Sequence, residues 1–155
     1  MTRLSALTAG AVLISGLTMA KIATGNEPIT IQVAKTPSCG CCSAWIEHLQ
    51  ENGFEVAAFD MTHAALDGVK RDLDIDPSLV SCHTATVNGY FIEGHVPAED
   101  IARLLETQPE NARGLSVPGM PIGSPGMEMG DQRDPFTTLL VQDDNQTQVF
   151  NTHNQ

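Results

Sequence analysis

A chain of 155 residues, 41 % of them hydrophobic, is long enough to fold as one domain around a real core. Its formal net charge of −11, from 19 acidic and 8 basic residues, argues against nucleic acid and against anionic membrane surfaces as partners. The acidic residues are spread over predicted helix faces and turns, which reads as a solvated surface and not as a calcium site.

Residues 1–20, MTRLSALTAGAVLISGLTMA, have the three parts of a secretory signal. Arg3 supplies the positive start, Leu4 to Leu17 the apolar stretch, and small residues lead to a cleavage point expected near Ala20. The apolar run is short and rich in Gly, Ser and Thr, so no stable membrane span is expected once it is removed. An exported bacterial protein of this kind would meet the oxidising periplasm, where exposed thiols are held as disulfides or by metal.

After a short linker over 21–27, ITIQVAK reads as a strand from its alternating, β-branched pattern. The stretch TPSCGCC follows at once, and SAWIEHLQENG continues as a helix with Trp45, Ile46 and Leu49 on one face and a stop at Gly53. FEVAAFDM is a second strand and HAALDGVKRDLD a second helix. TATVNGYFIEGHV carries Asn-Gly between two β-prone runs, the signal of a hairpin, and PAEDIARLLET is a helix opened by Pro97 and two acids. The order β-α-β-α-β-β-α predicts an α/β fold, a thioredoxin-like sandwich with a mixed sheet.

The remainder differs in character. GLSVPGMPIGSPGMEMGDQRDP is dense in Gly, Pro and Met and is expected to be a loop, neither helix nor central strand. Two β-prone runs around Asp-Asp-Asn then predict a terminal hairpin. The domain is expected to occupy 28–142, with 143–155 as an acidic and polar extension.

Cys39 and Cys42 are spaced C-x-x-C, with Cys41 between them, at the junction of a strand and a helix. The free N–H groups of the first helical turn favour thiolate there. This spacing supports a dithiol/disulfide couple or two ligands on one metal. A redox pair has no use for a third adjacent nucleophile, whereas three thiolates on a tight turn suit a soft metal or a small sulfur-bridged cluster. Cys82 and His83, just before a predicted strand, would face that turn by analogy with thioredoxin-like folds, and His95 would lie on the same rim. Four cysteines with one or two histidines suit copper(I) or zinc and not magnesium, calcium or manganese. Met120 and Met127 fall in the Gly/Pro loop and offer thioethers, soft ligands that need no deprotonation. His48 is expected on an exposed helix face, His63 at the start of the second helix with Thr62 as its cap, and His153 in a frayed tail. Trp45 is expected to be a packing anchor. Two structural disulfides would account for the same four cysteines.

TPSCGCCSAWIEHL, FDMT, SCHTATVNGYFIEGHVPAEDIARLL and GLSVPGMPIGSPGMEMG, taken in order, resemble the CopG-type proteins of bacterial copper-resistance clusters over residues 28–142. The resemblance implies a periplasmic copper-binding protein with ligands at Cys39, Cys41, Cys42, Cys82, His83 and His95. It implies several copper ions in a sulfur-bridged cluster that passes between Cu(I) and Cu(II), with zinc a poorer occupant. Its partners would be copper ions and periplasmic copper-efflux or electron-transfer proteins. Two other readings stay open: a thiol–disulfide oxidoreductase using Cys39 and Cys42, and a passive copper carrier.

Overall fold

The computed structural model describes residues 29–155; the expected signal and linker lie outside the described residues. Strand β1 (Thr30–Lys35) alternates as its sequence predicts, sending Ile31 and Val33 into the core. Helix α1 (Gly40–Glu51) carries Trp45 and Leu49 onto the same side of the sheet and ends before Gly53, whose φ of +87° suits glycine. It is the crossover that brings β2 (Glu55–Asp60) parallel to β1. Helix α2 (His63–Asp72) begins at a Thr62 cap, whose Oγ1 accepts the Ala65 N–H at 3.3 Å.

Strands β3 (Thr84–Val87) and β4 (Tyr90–Glu93) form the hairpin predicted from Asn-Gly. Asn88 and Gly89 both take positive φ, +47° and +86°, as a tight two-residue hairpin turn requires. Helix α3 (Ala98–Thr107) starts after Pro97 with Glu99 and Asp100 in its first turn. The sheet has seven strands in the order β2-β1-β3-β4-β5-β6-β7, parallel at β1–β2 and β4–β5 and antiparallel elsewhere. Trp45, Leu49, Ile101 and Leu104 from α1 and α3 cover the face bearing Ile31, Val33, Ile92 and Leu115. A smaller cluster of Ile75, Leu79, Phe91 and Val141 fills the opposite face, where α2 sends Lys70 onto the sheet at Thr84 and Glu93. This is the mixed-sheet α/β sandwich that the order of elements predicts.

Two parts of the C-terminal third depart from expectation. The start of the Gly/Pro/Met stretch is a central strand, β5 (Ala112–Ser116), lying between β4 and β6 (Phe136–Gln142). Proline begins only at Pro118, so the ladder donors of β5 are intact. Gly114 is there because of close approach: a Cβ at that position would lie 2.1 Å from the Phe91 carbonyl oxygen. The second departure is at the chain end. The predicted hairpin is present, and residues set apart as a polar extension supply its second strand, β7 (Thr147–His153), paired along the whole of β6. His153 is therefore held in a strand and is not frayed.

Beneath the β3–β4 hairpin, Glu93 is fully buried and pairs with Lys70, which α2 inserts between Glu93 and the Thr84 hydroxyl at 2.7 Å. Glu93 also accepts from Thr84 Oγ1 at 2.7 Å and from the Ser81 N–H at 2.6 Å. Burial raises the Glu93 pKa, and Lys70 opposes that effect most strongly. Removing one partner of such a pair strands a buried charge. Lys70→Met is expected to cost about 3–5 kcal/mol of stability at neutral pH, read from the midpoint of urea unfolding.

Candidate metal centre

The turn between β1 and α1 holds three of the four cysteines. Cys39 is the cap of α1, its Sγ accepting the Cys42 N–H at 3.3 Å, and Cys42 is fully buried one turn inside the helix. Cys39 and Cys42 form a disulfide, while Cys41 and Cys82 are free thiols. Cys82 arrives from the far side on the segment before β3. Its Sγ lies 3.8 Å from that of Cys41 and 3.6 Å from that of Cys42, and Cys39 and Cys41 are 3.5 Å apart. The four sulfurs all lie within 4.8 Å of one another.

Two imidazoles complete the arrangement, and Cys82 joins them to the sulfurs. Cys82 Sγ is 3.1 Å from His95 Nε2 and 3.4 Å from His83 Nδ1, so Cys82, His83 and His95 form a second cluster of mutually close donors. His95 donates its Nδ1–H to the Pro125 carbonyl at 2.8 Å, which fixes the ring and leaves Nε2 as the lone pair facing sulfur. His83 is fully buried; its Nε2 is the one buried side-chain polar atom without a partner among the described residues. Trp45 packs on the His83 ring at 4.3 Å between centroids and donates its indole N–H to the Val96 carbonyl at 2.8 Å. It is the packing anchor its place in α1 predicts, and it also walls the site.

The electrostatics favour neutral, ligand-ready imidazoles. Burial lowers the pKa of both histidines, His83 furthest, and the charge of His95 adds to the effect on His83. Burial, with Cys41 beside it, pushes the Cys82 thiol up to about 12. Cys82 is therefore a thiol at neutral pH that can donate to His95 Nε2, and a cation bound there must displace its proton.

The predicted residues Cys39, Cys41, Cys42, Cys82, His83 and His95 all meet at this one place. The two methionines stand differently. Met127 is half-buried on the loop that supplies Pro125, its backbone bonded to Ser124 and Gly123 at 2.8 and 2.9 Å. Met120 is 53 % exposed. His48 is half-buried and not a free surface residue, for its Nε2 accepts the Ala98 N–H at 3.1 Å and so caps α3. Burial lowers the His48 pKa. Sequence reading missed the Pro125 carbonyl, and with it the fit of the loop. Gly126, at φ +82°, presses its backbone onto α1, where a Cβ would come within 2.6 Å of the Cys41 carbonyl. The repeated Gly and Pro of that loop were the available signal.

These features define a class, an α/β protein with four sulfurs and two imidazoles gathered at the mouth of a helix. Two solved structures of "Copper resistance protein copG", form 2 and form 1, are similar to it at 43 % and 42 % identity. They cover 82 % of this chain and 99 % and 98 % of theirs, with TM-scores of 0.75 and 0.76. Residues 79–127 match the family model described as "Protein of unknown function, DUF411". No curated protein matches. The chain belongs to the CopG-type copper-resistance family.

Gly126→Ala tests whether the loop needs its close seat on α1. It should destabilise the protein by about 1–3 kcal/mol, because overpacking and the positive φ act together. Exchange of the Gly123 and Met127 amides, which are hydrogen-bonded within the loop, and of the His95 Nδ1–H held by Pro125 should quicken, and unchanged rates would show that the loop seats without that glycine.

Proposed function

We propose that this protein is exported, loses residues 1–20, and handles copper in the periplasm as part of copper resistance. Its cargo is copper, held by Cys39, Cys41, Cys42, Cys82, His83 and His95, and the site passes between Cu(I) and Cu(II). The observation that carries this reading is the position of Cys82, whose sulfur is shared between the thiol cluster and the two imidazoles. Soft thiolates stabilise Cu(I), and imidazoles accommodate Cu(II), so a mixed set suits exchange between the two better than an all-sulfur store would. The relatives' name, copper resistance protein, points to the same cargo. Met127 adds a thioether from the covering loop. The exposure of Met120 suits contact with an incoming ion. Among the described residues no helix is long and apolar enough to cross a membrane.

With Cys39 and Cys42 joined, two of the sulfurs are withheld as thiolate ligands. Full loading therefore requires a thiol reductant to supply two electrons, with two protons completing the free thiols. The same disulfide favours a second reading, a thiol–disulfide oxidoreductase working through Cys39 and Cys42. Reduced protein would then exchange rapidly with a small dithiol and need no metal. A passive carrier would bind copper stoichiometrically without turning over its oxidation state.

Anaerobic titration of the reduced protein against a chromogenic Cu(I) chelator separates these readings. Tight Cu(I) uptake is expected for the native sequence and its loss when Cys39, Cys41 and Cys42 are all changed to Ser. Equal affinity in the triple variant would refute the copper reading. Addition of Cu(II) to the Cu(I)-loaded protein, followed by electron paramagnetic resonance, tells an interconverting site from a passive one.

Proton linkage gives a further check. The Cys82 thiol and the other thiols give up protons on loading, so Cu(I) affinity should fall as pH falls, by about tenfold per unit for each proton displaced. Burial lowers both imidazole pKa values, His83 furthest, so His83 and His95 should add less to this slope than ordinary histidines would and the thiols should supply most of it. Isothermal titration in buffers of different ionisation enthalpy counts the protons released.

A further inference from the structure

A cavity of about 270 Å³ opens beside the start of α3, and the sulfur cluster does not use it. Its walls include His48, Glu99, Pro125, Phe136 and His153. Pro125 is the residue whose carbonyl holds His95, so this cavity and the metal centre share one wall. The histidine expected in a loose tail is thus placed against a solvent-open space close to the cluster.

His153, two residues before Gln155, is held with unusual completeness. Phe136 stacks on its ring at 4.6 Å between centroids. Asp100, only 1 % exposed, takes the Thr138 hydroxyl at 2.6 Å, the Asn151 amide at 2.8 Å and His153 Nε2 at 2.9 Å. A carboxylate accepts hydrogen bonds, so Nε2 carries the proton and a neutral ring keeps its lone pair on Nδ1. That atom lies 4.0 Å from Glu99 Oε1, and both residues line the cavity. A buried carboxylate on one ring nitrogen, with the other left bare, is how supporting carboxylates orient metal-ligating histidines.

We propose that His153 Nδ1 and the Glu99 carboxylate form a second cation site, separate from the cysteines, for a borderline divalent ion such as Cu(II) or Zn(II). Water in the cavity completes the coordination. Nitrogen and oxygen donors select the divalent ion, whereas the sulfur cluster selects Cu(I). His48 does not join it, since its Nε2 lone pair is taken by the Ala98 N–H. With two protein ligands the site binds more weakly than the cluster and releases its ion readily, and the net charge of −11 draws cations to it. The assignment does not depend on what the cysteines bind. Asp100 is a positioning residue here and touches no ion.

The test is zinc titration of the reduced protein followed by long-range ¹H–¹⁵N correlation of the imidazoles, a readout blind to zinc on sulfur. The His153 signals are identified by their loss in His153→Phe. Once the thiols are saturated, further zinc should move the His153 Nδ1 resonance saturably to a metal-bound position. Glu99→Gln, at an exposed carboxylate, should remove that second phase, and Asp100→Asn should weaken it by about 10–100-fold. The proposal is overturned if millimolar zinc leaves His153 Nδ1 unmoved, or if Glu99→Gln responds as the native protein does. It is equally overturned if both His153 nitrogens carry protons at neutral pH and zinc does not displace one.

Discussion

The thiol of Cys82 is the point on which the candidate centre depends. It is the one donor common to the four-sulfur group and to the sulfur–imidazole group. The other cysteines belong to one turn and are brought close by local geometry alone, but Cys82 comes from a segment roughly forty residues away in sequence. Its place is a consequence of the whole sheet, because β3 pairs with β1 and so brings its own N-terminal segment to the end of β1 where α1 starts. A fold that misplaced this one contact would leave a C-x-x-C turn with no partner.

Three supports hold that contact in place. Glu93 accepts the Ser81 N–H on one side of Cys82 and the Thr84 hydroxyl on the other, so the segment is pinned at both ends to one buried carboxylate. Ser81 also donates its hydroxyl to the Gly119 carbonyl, and the Gly119 N–H donates to the Val80 carbonyl at 3.2 Å, which ties the segment to the start of the Gly/Pro loop. The same loop returns to grip His95 through Pro125 and to press Gly126 against α1. Buried ionic groups are costly, and a hydrophobic replacement of Lys70 and Glu93 could be as stable. What such a replacement would not supply is two acceptor oxygens for the segment that carries Cys82 and His83.

How much of this was legible in the sequence follows from how local each signal is. The helices, the Asn-Gly hairpin and the Thr62 cap rest on neighbouring residues, and the sequence predicts them at nearly the observed bounds. The six cysteines and histidines could be placed together because strand order implies which segments meet. The strand β5 was not legible: five residues with an interior glycine run directly into a proline-rich stretch, and only the Phe91 backbone explains that glycine. The roles of His48 and His153 were hidden for a related reason. Each depends on a partner about fifty residues away, the Ala98 N–H in one case and Asp100 in the other.

The disulfide and the raised Cys82 pKa, for which burial is the larger cause and the neighbouring Cys41 the smaller, both keep negative charge out of one crowded place. Four sulfurs within 4.8 Å of one another cannot all be anionic without compensation. At about 4 Å each pair of unit charges would repel by about 4 kcal/mol even at an effective dielectric constant of 20. Near neutral pH the difficulty has three remedies: join sulfurs, protonate them, or place cations among them. In this structure Cys39 and Cys42 take the first and Cys82 the second. The third remedy is the most economical for ligands so tightly gathered, because one cation relieves several repulsions at once and a shared sulfur can serve two cations. Neutral imidazoles at the edge add donors without adding negative charge, so they extend the site without renewing the repulsion. A thiol-exchange protein would not need such crowding, since two sulfurs suffice for its chemistry. The crowding itself is therefore the physical feature that favours a metal-handling role.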